Sequence, residues 1–426
     1  MTAETIFALA TPPGRGALAV VRISGPAAPA IAEALTGRAL PLDRRATVRR
    51  LTDPADGAPI DEALLLGFPP GASFTGEAVL ECHVHGGPAV IAALLGALAA
   101  QPGTREAGPG EFARRALENG KLDLTRVEAI ADLVEAETAA QHRQAMGGLL
   151  GDLARQAAQW RSELLECLAL LEADIDFADE LEGDAMAPAV MARLAALEAA
   201  FAAEAGRGAA ARRVRDGVEI AIIGPPNVGK STLINAIARR EVALTSAQAG
   251  TTRDVLEATV DLRGYRVTFL DTAGLRDADD AIEAMGVARA RTRAETADLR
   301  LFVSAPDAPA DRALWRDGDI AVLNKADLAP GAEGVSARTG AGLDALLDTL
   351  SDRVRALVAA RGLAFRPRHV AAFRDAADAL SRARGAAPEL AAEELREALR
   401  RLEALMGRID VEEVLGDIFA RFCIGK

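Results

Sequence analysis

The residues best suited to chemistry fall in four short stretches: Gly224-Pro-Pro-Asn-Val-Gly-Lys-Ser231, Thr251-Thr252, Asp271-Thr-Ala-Gly274 and Asn324-Lys-Ala-Asp327. The first has glycines at both ends of a four-residue gap, then Lys230 and Ser231. Small residues let the backbone N–H groups from Asn227 through Val228, Gly229, Lys230, Ser231 and Thr232 turn inward around phosphate oxygens. Lys230 can reach the outer phosphates, and the Ser231 hydroxyl suits Mg²⁺. The stretch follows the apolar run Val218 to Ile223 and precedes the helical run Thr232 to Ala238, which supplies the strand–loop–helix setting such a loop needs.

The remaining stretches specify the nucleotide. Asp271 ends the apolar strand Val267 to Leu270, where a carboxylate can hold Mg²⁺ through water. Beyond Thr272 and Ala273, Gly274 offers an N–H that can approach a terminal phosphate with no side chain in the way. Asn324, Lys325 and Asp327 follow the strand Ile320 to Leu323. A carboxylate there accepts from both the ring N–H and the exocyclic amine of guanine, a donor pair adenine lacks, and such sites discriminate by about 10⁴-fold. Ser336, Ala337 and Arg338, after Val335, have the character of the short loop that backs the base in GTPases. The position after Gly274 is Leu275, where Ras-like enzymes have a glutamine that orients the attacking water. The nearest acids are Asp277, Asp279, Asp280 and Glu283; Glu283 opens a helical run, where a carboxylate is also favoured simply by the helix dipole.

A chain of 426 residues, half of them hydrophobic and only 4% aromatic, predicts two or three helix-rich domains. Cys82, Cys167 and Cys423 lie too far apart for a disulfide framework or a four-cysteine zinc site. Cys82, His83 and His85 cluster, but alternate strand residues face opposite sides, which disfavours a metal site there. No basic leader or membrane-length apolar run occurs, so a cytoplasmic protein is expected. A net charge of −13 argues against a general nucleic-acid coat. Arg44-Arg45, Arg49-Arg50 and Arg212-Arg213-Val-Arg215 remain as local basic candidates or solvated faces.

These residues need elements to position them. Ala17 to Ile23, Glu62 to Gly67 and Ala78 to Val84 read as strands, and Pro88 to Ala100 as a helix. From Leu122 to Phe177 the pattern reads as long helix, with Ile130, Val134, Leu149, Leu153, Trp160, Leu164, Leu168 and Leu171 as its stripe. Leu395, Leu399, Leu402 and Leu405 make a second stripe in the helical block from Phe365, and Asp410 and Glu413 look like a capping pair for a last helix. The expected fold is multidomain, α/β plus all-α: a mixed α/β N-terminal domain (1–118), then a helical domain (119–215 and 363–426) interrupted by a Ras-like P-loop domain (216–362) whose ends lie close together.

Further stretches are Ala10-Thr-Pro-Pro-Gly-Arg-Gly-Ala17, Val21-Arg-Ile-Ser-Gly25, Ser73-Phe-Thr-Gly-Glu77, Gly110-Glu-Phe112, Lys121-Leu-Asp-Leu124 and the terminal Phe422-Cys-Ile-Gly-Lys426. With the nucleotide motifs, they closely resemble the MnmE (TrmE) family of tRNA-modifying GTPases over essentially the whole chain. The resemblance implies that GTP hydrolysis works with a flavin-dependent MnmG (GidA)-like partner, which carries FAD and uses NADH, to install an aminomethyl-type group on carbon five of the tRNA wobble uridine. It implies an N-terminal domain that forms a homodimer and binds a 5-formyl- or methylene-tetrahydrofolate, with Arg22, Glu81, Lys121 and Lys426 as the folate residues. It further implies K⁺ in place of an arginine finger, with Asn227, Ser246, Gln248 and Thr251 at the potassium site. Thr252 joins Ser231 on Mg²⁺, and Glu283 orients the attacking water. Cys423 is either a nucleophile or acid, or a small buried anchor beside Ile418, Phe419, Phe422 and Ile424. The alternative function is an Era-like regulatory GTPase in ribosome assembly, without modification chemistry.

Overall fold

The computed structural model describes residues 4–176, 188–244, 257–271, 292–329, 331–407, 422 and 425. The chain divides into two compact units, one of residues 1–131 and 403–426, the other of 132–402.

The first unit is built on a six-stranded sheet. Its strands are β1 (Thr5–Leu9), β2 (Leu18–Ser24), β3 (Ala46–Thr52), β4 (Pro59–Phe68), β5 (Val79–His85) and β6 (Thr104–Glu106), in the order β3-β4-β5-β2-β1-β6. Three of these, β1, β3 and β6, lie outside the strands expected from the sequence. β3 alternates Val48, Arg50 with Arg49, Leu51 on an edge, where only one of these side chains is fully buried, so its apolar signal is weak. Helices α1 (Ala28–Thr36) and α2 (Pro88–Ala99) contribute to a core that includes Val21, Ile23, Leu65, Leu80 and Cys82. Residues of the other phase, Arg22, Leu64, Glu81 and His83, have at least partial exposure. Cys82 therefore points inward, and burial pushes its thiol up to about 12. Among the described residues no group of three or more His, Cys, Asp or Glu is placed to hold a metal. Helix α3 (Glu111–Glu118) completes the unit around Phe112. Phe422 packs with Ala113 and Val127. Gly425 takes φ +103°, and a Cβ there would come within 2.3 Å of the Leu9 carbonyl oxygen. The chain end thus lies against the end of β1, while Cys423 and Lys426 fall outside the described residues.

The segment expected as one long helix is three: α4 (Leu124–Glu135), α5 (Ala139–Leu149) and α6 (Asp152–Asp176). The breaks have local causes. Thr138 caps α5 through a reciprocal box with Gln141, and Gly151 takes φ +82° before α6. Val134, placed on the apolar stripe by spacing, is 48% exposed. In the second unit α7 (Pro188–Asp216) packs on α10 (Pro367–Ala383), and Trp160 meets the rings of Phe201 and Phe373 edge-on at 5.2 and 5.5 Å. Helix α11 (Pro388–Leu405) carries Leu395, Leu399, Leu402 and Leu405, all buried. Asp410 and Glu413 fall outside the described residues.

Between α7 and α10 runs a second six-stranded sheet: β7 (Val218–Ile223), β8 (Val242–Ala243), β9 (Glu257–Leu262), β10 (Tyr265–Asp271), β11 (Leu299–Ser304) and β12 (Ile320–Leu323). Its order is β12-β11-β7-β10-β9-β8, with α8 (Lys230–Arg240) after β7 and α9 (Leu343–Leu357) after β12. The two chain segments that enter and leave this module are tied together. Asp132 Oδ1 accepts from Arg215 Nε at 2.9 Å and Arg366 Nη2 at 2.7 Å, and Glu204 Oε2 accepts from the Leu363 N–H at 2.9 Å. Asp132→Ala would remove the anion that two largely buried guanidinium groups share, while Arg215 keeps its pair with Asp216, so it is expected to cost about 1.5–3 kcal/mol in urea unfolding. A change under about 0.5 kcal/mol would mean that the ties are not what hold the module.

Candidate functional site

In the second sheet, β7 has β10 on one side and β11 on the other, both parallel to it. The chain leaves β7 towards β8 on the β10 side of the sheet and leaves β11 towards β12 on the other, which opens a crevice between the C-terminal ends of β7 and β11, the usual ligand position in such sheets. The loop from Gly224 to Gly229 occupies this point. Gly224 must be glycine, because a Cβ would sit 2.1 Å from the Val303 carbonyl oxygen. Asn227 takes φ +63° and is exposed at the tip of the turn, and Gly229 takes φ +92° before α8 begins at Lys230. The start of α8 therefore turns its backbone N–H groups and the positive end of its dipole to this crevice.

Lys230 is buried, and its Nζ donates to the carbonyls of Gly224 at 2.8 Å and Pro225 at 3.0 Å. The ammonium is thus held inside the loop that would cradle phosphates. Ser231 Oγ donates to Asp271 Oδ2 at 2.5 Å, so the two Mg²⁺ candidates from α8 and β10 meet directly. Asp271 is 2% exposed, and its Oδ1 has no hydrogen-bond partner among the described residues. A buried carboxylate oxygen left without a donor, beside a hydroxyl, fits a hard cation with its water shell.

The base-reading loops follow β12. Lys325 takes φ +57°, which lifts Asp327 into a short 3-10 turn, Ala326–Leu328. The Ser336 hydroxyl holds the Asp327 carboxyl below the usual carboxylate range, helped by the nearby Arg338, so it is ionised and acceptor-only at neutral pH. Arg338 Nη2 donates to Asp327 Oδ2 at 2.8 Å. Asn324 links the loops around the base. Its Nδ2 donates to the Val228 carbonyl at 2.8 Å, and its Oδ1 accepts from the Ala337 N–H at 3.1 Å. It ties the phosphate loop to the base loop. Sequence reading placed it in the site without this role, because its partners stand 96 and 13 residues away. Ser246, Gln248, Thr251, Thr252, Thr272, Ala273, Gly274 and Glu283 lie outside the described residues.

The first unit has its own cluster of chemistry-bearing groups. Arg22 and Glu81 are register partners on β2 and β5, and Arg22 Nε donates to Glu81 Oε1 at 3.0 Å. The guanidinium carbon sits 5.5 and 5.7 Å from the ring centres of Phe74 and Phe112, a cation–π clamp not visible in the sequence, where these residues are far apart. His83 Nε2 stands 3.4 Å from Glu81 Oε2 without making a hydrogen bond. Glu77 is occupied otherwise: it accepts from Ser24 Oγ at 2.7 Å and from Arg115 Nη1 at 3.1 and 3.0 Å. Of the two acids on this stretch, Glu81 is thus the one beside Arg22. Lys121 Nζ donates to the Gly71 carbonyl at 2.6 Å, on the loop that also bears Phe74.

Comparison with known proteins agrees along the full chain. The family model of the GTP-binding protein TrmE N-terminus matches residues 5–121, and that of the MnmE helical domain matches residues 124–423. The tRNA modification GTPase MnmE of Cereibacter sphaeroides is 48% identical over 430 residues, covering 99% of this chain and 100% of that protein. Its counterpart in Parvibaculum lavamentivorans is 50% identical over 438 residues, with the same coverage. Matched along its length by both family models and by these relatives, this chain belongs to the MnmE family of tRNA modification GTPases.

Proposed function

We propose that the chain hydrolyses GTP to GDP and phosphate, and that this hydrolysis serves modification of carbon five of the wobble uridine in tRNA. The observation that carries the first half is the gathering of Lys230, Ser231, Asp271 and Asp327 at the C-terminal edge of one sheet. Full-length likeness to proteins called tRNA modification GTPases supports the second.

In this reading the N–H groups from Val228 to Thr232 bind the phosphates, and Lys230 exchanges the neutral carbonyls of Gly224 and Pro225 for anionic oxygens, a stronger charge-assisted contact. Asp327 accepts the ring N–H and amine of guanine, while the Ala337 loop, fixed through Asn324, backs the base. Ser231, Thr252 and Asp271 are the residues that would hold Mg²⁺, which neutralises charge on the outer phosphates. Asn227, exposed with its backbone already in the left-handed region, is the described residue that would contribute to a K⁺ site, together with Ser246, Gln248 and Thr251; a monovalent cation would supply the charge an arginine finger supplies elsewhere. Glu283 orients the attacking water.

On the first unit, Arg22, Glu81, Lys121 and Lys426 form the proposed folate site: cations for carboxylates, and Glu81 Oε2, the oxygen that Arg22 does not hold, for a pterin's donor edge. The chain acts as a homodimer with an MnmG-like flavoprotein that supplies FAD and NADH chemistry, in the cytoplasm. Among the described residues no helix is long and apolar enough to cross a membrane.

Three measurements test this reading. Mass analysis of wobble uridines in tRNA from cells lacking the protein should reveal loss of the carbon-five group, restored by the wild-type chain and not by Arg22→Ala; intact modification would refute the tRNA role. Asp327→Asn replaces an acceptor by a donor, which mismatches guanine and matches the second carbonyl of xanthine. GDP affinity should fall by about 10²-fold or more, with xanthosine diphosphate now preferred; unchanged GDP binding would remove Asp327 from the base site. GTP turnover should be faster in K⁺ than in Na⁺, with the difference lost in Asn227→Ala and all turnover lost, with binding retained, in Glu283→Ala. Equal rates in the two salts would end the potassium assignment.

A further inference from the structure

Asp327 already has a cationic partner of its own. Arg338 Nη2 donates to Asp327 Oδ2 at 2.8 Å, and both residues belong to loops that the Asn324 tie holds in place. Guanine requires both carboxylate oxygens, one for its ring N–H and one for its amine. A carboxylate oxygen can accept two donors, so the ion pair and the bidentate base contact compete for Oδ2 where the guanidinium and the guanine amine approach the same side of it. Arg338 is free to yield, since its side chain is 77% exposed while that of Asp327 is 19% exposed. Release costs the pair's own stabilisation, which for a pair this open to solvent amounts to about two- to fivefold in an equilibrium constant. A ligand that leaves Oδ2 unused incurs no such cost.

We propose that Arg338 is a specificity-determining residue: by holding Asp327 Oδ2 it lowers affinity for guanine nucleotides and narrows their advantage over hypoxanthine nucleotides, which lack the amine and can bind with the Arg338–Asp327 pair intact. The inference rests on Asp327 being the guanine acceptor. Its consequence runs against ordinary intuition about a cation near a nucleotide: removing the arginine should tighten binding. The opposite role for Arg338, lying against the base face or attracting phosphates, predicts weaker binding on removal and no distinction between the two bases.

The test is equilibrium and stopped-flow binding of fluorescent GDP and IDP to the full chain, wild type, Arg338→Ala and Arg338→Lys. For Arg338→Ala, GDP should bind about two- to fivefold more tightly, through slower release, with IDP unchanged. The gain should shrink as salt rises, because the lost ion pair is screened, and Arg338→Lys, which keeps the charge, should lie closer to wild type. Unchanged or weaker GDP binding, or an equal gain for IDP, overturns the proposal. Asp327→Asn in the same assay separates the two readings: if it leaves GDP binding intact, the base-site reading itself fails, whereas loss of GDP binding there with no gain in Arg338→Ala overturns only the competition.

Discussion

The nucleotide site depends on one buried amide. Asn324, 1% exposed, reaches from the end of β12 to the phosphate loop and to the base loop at once, donating to Val228 and accepting from Ala337. A buried amide must have both ends satisfied, so the two loops cannot drift apart without leaving a costly orphan. The tie also explains a glycine. A Cβ on Gly229 would stand 2.6 Å from Asn324 Nδ2, so the loop's last glycine is required by the cross-link as well as by its φ of +92°. Phosphate and base recognition are thereby set at a fixed separation, before any ligand contributes.

Strand β10 connects that site to its surroundings in another sense. Its last residue, Asp271, meets Ser231, while Arg266 near its start pairs with Glu137 and the turn before it, at Gly264, accepts from the Ala140 N–H at 3.0 Å. One strand thus has the Asp271 carboxylate at one end and the contact with α5 at the other. The polar ties of Asp132 and Glu204 flank the same junction, and the aromatic cluster of Trp160, Phe201 and Phe373 gives the helices their own core. The module is inserted in sequence but bound by contacts on both of its connections. In the first unit the governing constraint is alternation: one phase of β2 and β5 builds the core, and the other sets Arg22, Glu81 and His83 on the opposite face.

Residue type and spacing alone determined the chemistry of the nucleotide site. Glycine, lysine, serine and two carboxylates at strand ends carry their function in side chains and local backbone, and local features survive in a one-dimensional reading. Strands β2 and β5 and the stripe on α11 were legible for the same reason, since strand composition and helical spacing are local. The tertiary structure decided what depends on distant partners. It broke the expected long helix at Thr138 and Gly151, added β1, β3 and β6 to the first sheet, and left Val134 exposed. It chose Glu81 over Glu77 as the partner of Arg22, because Ser24 and Arg115 already hold Glu77. It also made Asn324 a brace and set Arg338 on Asp327, since hydrogen bonds between separate loops exist only once the chain has folded them together.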